Sequence, residues 1–151
     1  MRVWSITDTG LVRKENQDAY FVEEMADCLV AAVCDGMGGP GGGREASAIA
    51  VQTMRTELPK ALHPGMSAQQ LGQAFGYCAG MANDAIRARA AQEPALLHMG
   101  TTLVAAAARP ELAVVTNIGD SRAYLIRNRA ILQVTTDHTL VEEMVLSGLI
   151  T

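Results

Sequence analysis

The second half of the chain contains four short apolar runs that are separated by very short polar breaks. The runs are TLVAAAA, LAVVTNI, RAYLIR and AILQV, and the breaks between them are Arg-Pro-Glu, Gly-Asp-Ser and Asn-Arg. Strands joined by so few residues pair with antiparallel neighbours, because a parallel crossover needs about a dozen residues or more. The spacing therefore predicts an antiparallel sheet from about Thr101 onwards.

The first half of the chain adds two strands. AYFVEE and LVAAVC are short apolar runs, and the Met-Ala-Asp between them can turn the chain into a hairpin. Because LVAAVC is continuously apolar, we expect this strand to be covered on both faces.

Two helical patterns follow, and a third closes the chain. The first runs from Glu45 to a stop at Pro59. A capping box at Ser67 opens the second, which continues to about Gln92. A further capping box at Thr139 predicts a last helix that ends at a left-handed Gly148. This order of elements indicates an α+β fold in which helices back one face of an antiparallel sheet.

Composition limits the classes of function. The chain has 151 residues, which suits one domain, and 49% of them are hydrophobic with a mean hydropathy of +0.13. A net charge of −4 without a basic stripe argues against nucleic-acid binding. The apolar runs are too short to span a bilayer, and the first ten residues lack a secretory leader. Three cysteines fit neither a disulfide framework nor a metal spacing, so we expect a reducing, cytoplasmic location.

Asp35 stands where LVAAVC ends, and a glycine-rich run follows it directly. Six of the eight residues from Gly36 to Gly43 are glycine. A carboxylate beside an accessible main-chain carbonyl is an oxygen donor set that Mg²⁺ or Mn²⁺ prefers. An ordinary Asp-Gly turn in a loop explains the same residues without a function. A nucleotide-binding phosphate loop is disfavoured, because no Gly-Lys-Ser/Thr ends the run.

Two further polar clusters precede or follow strands. Arg13 could grip a phosphate with two parallel hydrogen bonds, and Asp18 could orient a water molecule. Asp120 lies in Gly-Asp-Ser-Arg between two predicted strands, where a plain hairpin turn is an equal explanation. His98 and His138 are lone histidines, which more often serve structural roles than ligand roles.

Five motifs taken together resemble one family in both order and spacing. They are NQDA at 16–19, DGMGG at 35–39, MGTT at 99–102, GDSRAY at 119–124 and TTDHTLVEE at 135–143. The sequence resembles the metal-dependent protein serine/threonine phosphatases of the PP2C (PPM) type in their bacterial form. The resemblance implies antiparallel β-sheets flanked by α-helices, as in the α/β/β/α sandwich of that family.

The resemblance also assigns roles to residues. Asp35 is expected to bridge two Mn²⁺ or Mg²⁺ ions, and the Gly36 carbonyl to bind one of them. Arg13 would grip the substrate phosphate, Asp18 would support the water network, and Asp120 would help to hold a third, weaker metal. The glycines would keep bulk away from this centre and from a phosphorylated peptide.

The implied reaction is attack by a metal-bridging hydroxide on the phosphorus of phosphoserine or phosphothreonine in proteins, including targets of a serine/threonine kinase.

Two positions depart from the family pattern. Gln17 stands where many relatives carry Glu, and Met37 replaces the histidine of eukaryotic relatives.

Family domains are longer than this chain and carry later metal-binding aspartates that are absent here. We therefore expect residues 1–151 to be the N-terminal portion of a phosphatase domain, with weak metal binding and self-association through its apolar surfaces. The alternative function is a catalytically inactive, phosphatase-like binding or regulatory module.

Overall fold

The structure, a computed structural model of the chain, describes residues 1–39, 41–139, 142, 144 and 147–149. Its strands are β1 (Asp18–Met25), β2 (Cys28–Met37), β3 (Gly100–Thr101), β4 (Leu103–Arg109), β5 (Leu112–Ile118), β6 (Tyr124–Arg127) and β7 (Ala130–Gln133). The helices are α1 (Gly42–Ala61) and α2 (Ala68–Ala90), and a 3₁₀ turn covers Pro94–Leu96.

The strands form an antiparallel sheet and a separate hairpin. The sheet has the order β1-β2-β4-β5, and β3 pairs with the end of β2. The strands β6 and β7 pair only with each other among the described residues. Asn128 and Arg129 join them with φ angles of 53° and 62°, and positive φ at both central residues matches the twist of a tight hairpin. The predicted α+β fold with an antiparallel sheet is confirmed.

One face of the sheet packs against α1 and α2. Along β2, Val30, Ala32 and Cys34 are at most 1% exposed, whereas Val33 is 51% exposed. Side chains on a strand alternate between the two faces, so only one set of β2 side chains enters the helix-covered core. The expectation of a strand covered on both faces is wrong. Asp35 shares the face of Val33 and points away from the helices.

Helix α1 continues through the residue that was predicted to stop it. Pro59 lies inside the helix, which ends at Ala61. Buried Leu58 and Leu62 flank the proline, and the Leu62 N–H donates to the Leu58 carbonyl at 2.9 Å. Pro59 has no backbone N–H and cannot make its hydrogen bond within the helix. Packing of these two leucines compensates for this loss and stabilises the last turn.

The predicted start of α2 is confirmed in detail. The Ser67 hydroxyl accepts from the Gln70 N–H, and the Gln70 side chain accepts from the Ser67 N–H. This reciprocal pair satisfies two backbone donors that the helix leaves free. None of the helices in the described ranges combines the length and the apolar character that a bilayer span requires.

The predicted last helix falls largely outside the described residues, because 140, 141, 143, 145 and 146 are not among them. In the part that is described, the Glu142 N–H donates to Thr139 Oγ1 at 3.1 Å, and Gly148 has a φ of 72°. Both observations agree with the predicted cap residues.

Candidate active site

A cavity of about 950 Å³ opens where β1 begins and β2 ends, on the sheet face that points away from the helices. The five residues selected as candidates from the sequence all line this cavity: Arg13, Asp18, Asp35, Gly36 and Asp120. The fold therefore brings together residues that are up to 107 positions apart, from Arg13 to Asp120.

Asp18 and Asp35 face each other directly across β1 and β2. The Gly36 N–H donates to the Gln17 carbonyl at 3.1 Å, so Gln17 and Gly36, the next pair along the ladder, are hydrogen-bonded. Pairs alternate along an antiparallel ladder, which makes Asp18 and Asp35 a non-hydrogen-bonded pair with Cα atoms about 4.5 Å apart. Like charges in this position repel each other, and both carboxylates keep contact with the cavity.

The electrostatic surroundings disfavour a charge on Asp35. Partial burial of its carboxyl raises the pKa of Asp35, and the nearby carboxylates of Asp18 and Asp120 raise that pKa further. The Arg13 guanidinium acts in the opposite direction and lowers the pKa. A divalent cation would relieve this repulsion, because carboxylate and carbonyl oxygens are the ligands that Mg²⁺ and Mn²⁺ prefer.

The number of protein ligands is small. Within the part of the chain that the structure describes, no three His, Cys, Asp or Glu side chains are grouped closely enough to form a metal site. The carboxylate oxygens in the cavity are nevertheless of the donor type that divalent cations prefer. Water molecules would have to supply many of the coordinating oxygens, as is usual for Mg²⁺.

Thr101 and Thr102 fix the position of Asp35. The Asp35 N–H donates to Thr102 Oγ1 at 2.9 Å, and the Thr102 N–H donates to the Asp35 carbonyl at 2.9 Å. Thr101 Oγ1 donates to the same carbonyl at 3.0 Å. These two threonines were not candidates, although they belong to the MGTT motif. That motif was the only available signal, and it did not show which strand end the hydroxyls would reach.

The glycine-rich run allows two backbone segments to touch. A Cβ atom on Gly36 would lie 1.9 Å from the Gly43 carbonyl oxygen, and a Cβ on Gly43 would lie 2.5 Å from the Gly36 oxygen. Gly38 has a φ of +129°, and its Cβ would lie 2.4 Å from the Met99 Cα. At these three positions, contact between parts of the chain itself requires glycine. No such contact exists at Gly39, where a Cβ would meet nothing within 4 Å.

Glu15 and Gln17 attach the glycine-rich run to the cavity wall. Glu15 Oε1 accepts from the Gly41 N–H and from Gln17 Nε2, both at 2.8 Å. Gln17 Nε2 also donates to the Gly39 carbonyl at 3.3 Å. The hydrogen bond from Gln17 is the main cause of the lowered pKa of Glu15, followed by the Gly41 N–H. The amide at position 17 therefore acts as a hydrogen-bond donor to the run.

Gln17→Glu is expected to lower the free energy of unfolding by about 1–3 kcal/mol in the presence of chelator. The new carboxylate would lose the two donated hydrogen bonds and would face the Glu15 carboxylate. The loss should shrink as the pH falls below about 4, where a glutamate becomes protonated. Urea unfolding measures the effect, and Gln73→Glu on the exposed surface of α2 is the control. Equal stability of the two variants would show that the Gln17 contacts contribute nothing.

A family model described as protein phosphatase 2C matches residues 12–143. The chain belongs to this phosphatase family. The serine/threonine phosphatase stp of Listeria monocytogenes is 36% identical to this phosphatase 2C chain over 143 residues, which are 94% of the chain and 56% of that protein. The chain thus spans little more than half the length of this relative.

Solved structures of other phosphatases agree with the described fold. The serine/threonine phosphatase Stp1 from Staphylococcus aureus superposes with a TM-score of 0.82 at 32% identity, covering 97% of this phosphatase 2C chain and 57% of that one. The catalytic domain of the phosphatase PstP, described in complex with two manganese ions, gives a TM-score of 0.75 at 35% identity. That comparison covers 95% of this chain and 59% of the other.

Proposed function

We propose that the protein hydrolyses phosphoserine and phosphothreonine on other proteins, with Mn²⁺ or Mg²⁺ as the cofactor. The observation that supports this function is the pair of facing carboxylates, Asp18 and Asp35, in one cavity with Asp120 and Arg13. Membership of the phosphatase 2C family and similarity to serine/threonine phosphatases support the same reaction class. The proposal places the activity in the cytoplasm, where targets of serine/threonine kinases would be substrates.

Each residue has a distinct role in this proposal. Asp35 and the Gly36 carbonyl would hold two divalent cations, and Asp120 would contribute to a third, weaker site. Bound cations would lower the pKa of the attacking water and neutralise charge on the phosphoryl oxygens. Asp18 would accept a hydrogen bond from the attacking water, and Arg13 would bind two phosphoryl oxygens through its planar guanidinium.

Direct attack by water is favoured over attack by a cysteine. All three cysteines are buried, and burial raises the pKa of Cys34 to about 12. A thiol with such a pKa is protonated at neutral pH and is a poor nucleophile. The proposal therefore includes no covalent phosphoenzyme.

A second candidate function is binding of phosphoproteins or regulatory partners without hydrolysis. The small number of clustered ligands among the described residues favours this alternative for the chain by itself.

We also propose that residues 1–151 are the N-terminal part of a longer phosphatase domain. Exposed apolar side chains such as Val33 would then be covered by self-association of the isolated chain, and a strict monomer in light scattering at high concentration would contradict this.

Hydrolysis of a phosphothreonine peptide with Mn²⁺ and with chelator tests the proposed function. The same peptide with phosphotyrosine is the matched substrate control, and fluorescence anisotropy measures binding separately from hydrolysis. Mn²⁺-dependent release of phosphate from phosphothreonine alone would support the enzyme. Binding of the phosphothreonine peptide without release of phosphate would support the binding module instead.

Arg13→Ala is expected to raise the KM for a phosphothreonine peptide by roughly 10- to 100-fold, the value of one or two hydrogen bonds to a charged group. We expect kcat to change much less, since the guanidinium would contact the phosphate in the substrate and in the transition state alike. Arg87→Ala on the exposed surface of α2 is the control. An unchanged KM in Arg13→Ala would remove Arg13 from the phosphate site.

A further inference from the structure

Asp120 lies in the connection between β5 and β6, residues 119–123, outside the hydrogen-bonded ladder of either sheet. Its side chain reaches the cavity that contains Asp35. Among the described residues, no group donates a hydrogen bond to the Asp120 carboxylate. The carboxylate is thus available to a ligand, and some other contact must hold its backbone in place.

Residues 134–138 hold this connection on both sides of Asp120. Before Asp120, the Gly119 carbonyl accepts from the His138 N–H at 2.8 Å. After it, the Ala123 N–H donates to Thr135 Oγ1 at 3.1 Å, and the Ala123 carbonyl accepts from the Val134 N–H at 2.9 Å. The two segments therefore run side by side, with Asp120 between the attachment points.

A bidentate ion pair joins the same two segments. Arg122 Nε donates to Asp137 Oδ1 at 2.9 Å, and Arg122 Nη2 donates to Asp137 Oδ2 at 2.7 Å. Gln133 Nε2 lies 3.4 Å from Asp137 Oδ1. Hydrogen bonding from Arg122 is the main cause of the lowered pKa of Asp137. The two parallel hydrogen bonds fix the relative orientation of the segments as well as their distance.

This ion pair is a poor candidate for a source of global stability. The Arg122 side chain is 49% exposed and that of Asp137 is 16% exposed. Ion pairs that are open to water contribute little to folding. The pair has a clearer effect on the local geometry around Asp120, because Arg122 is only two residues from Asp120.

The connection is also linked to the strand that carries Asp35. Ser121 Oγ lies 2.7 Å from Thr102 Oγ1, which accepts from the Asp35 N–H. A Cβ on Gly119 would lie 2.8 Å from Thr102 Cγ2, so the connection also packs against this threonine. Thr102 thus sets the position of residues 119–123 relative to the end of β2 that carries Asp35. The Arg122–Asp137 pair attaches the other end of the connection to residues 134–138.

We propose that the Arg122–Asp137 ion pair positions Asp120 for cation binding, an inference that rests on the proposed function. Neither residue lines the cavity, so both are positioning residues. Groups that orient metal ligands in this way typically contribute 10- to 100-fold to metal affinity.

Titration calorimetry of Mn²⁺ binding to the purified chain tests the proposal, and it is carried out without any substrate. Asp120→Asn and Asp35→Asn identify the binding component that each carboxylate contributes. Arg122→Gln and Asp137→Asn are each expected to weaken the Asp120-dependent component roughly 10- to 100-fold. The double variant should be no weaker than either single one, because both remove the same ion pair. Arg127→Gln, an exposed arginine on β6, is the control.

Two further readouts separate positioning from loss of the fold. The Asp35-dependent binding component should remain within about twofold of wild type, which shows that the sheet is intact. Amide hydrogen exchange of Ala123, Val134 and His138, whose N–H groups donate across this contact, should become at least about tenfold faster in chelator in Arg122→Gln, as expected when a local contact is lost. The control variant should leave that exchange rate unchanged.

The outcomes separate the inference from the proposed function. Wild-type Mn²⁺ binding with unchanged affinity in Arg122→Gln and Asp137→Asn would overturn the inference alone. Unchanged amide exchange at Ala123, Val134 and His138 would also overturn it. Absence of Mn²⁺ binding by the wild-type chain would overturn the proposed function and, with it, any role of the ion pair in cation binding.

Discussion

Asp35→Asn is expected to lower Mn²⁺-dependent hydrolysis of a phosphothreonine peptide by roughly 10²- to 10³-fold, the usual loss when one stabilising group is removed from a reacting centre. In chelator, the same change is expected to raise the free energy of unfolding by about 0.2–1 kcal/mol, because it removes one of two like charges that face each other. Activity and stability should therefore change in opposite directions.

Saturating Mn²⁺ should reverse the order of stability. A cation that binds only the folded chain stabilises it in proportion to the logarithm of its concentration relative to the dissociation constant. Wild type should gain this stabilisation, and Asp35→Asn should gain little. Asp84→Asn, on the exposed surface of α2, provides the same chemical change away from the cavity. Equal stabilisation of both variants by Mn²⁺ would show that Asp35 is not a ligand.

Gly36→Ala is expected to cause the largest loss of stability, about 3 kcal/mol or more. The new Cβ would lie 1.9 Å from the Gly43 carbonyl oxygen and 2.7 Å from the Gln17 carbonyl oxygen. Both are backbone atoms, so the end of β2 and the start of α1 would have to separate. Because Gly36 lines the cavity, we also expect Mn²⁺ affinity to fall in any fraction that folds.

Gly80→Ala is the matched control for this substitution. A Cβ on Gly80 would meet nothing within 4 Å, and the residue lies in the interior of α2. Alanine is a better helix former than glycine, so we expect a gain of about 0.5–1 kcal/mol. Urea unfolding monitored by circular dichroism compares the two variants. A Gly36→Ala midpoint equal to that of Gly80→Ala would contradict the packing described at the glycine-rich run.

The regular elements were largely predictable, because local patterns specify them. The short breaks at Arg-Pro-Glu and Asn-Arg join antiparallel partners, β4 with β5 and β6 with β7, and the reciprocal hydrogen bonds of Ser67 and Gln70 need only residues that are near in sequence. The Gly-Asp-Ser break is different, because β5 and β6 on either side of it do not pair with each other. The candidate residues at the strand ends were predictable for a related reason. A polar residue that interrupts an apolar run, such as Asp35, must leave the core.

Other features depend on contacts that no local pattern contains. The continuation of α1 past Pro59 depends on the burial of Leu58 and Leu62 against the rest of the core. The one-sided burial of β2 depends on where the helices pack, since a continuous apolar run is compatible with either arrangement. The hydrogen bonds of Glu15 with the glycine-rich run join residues 26 positions apart.

The sequence by itself determined the antiparallel pairing within the short hairpins, the helix that begins after Ser67, the family, and the residue types from which a metal-dependent phosphatase site could be built. These follow from periodicity, turn length and motif order, all of which are properties of the linear chain. Only the tertiary structure decided that Asp18 faces Asp35, that Thr102 holds Asp35 in place, and that Arg122 pairs with Asp137 beside Asp120. The physical reason is that strand register and loop contacts join distant residues, and their energies depend on packing that is complete only in the folded protein.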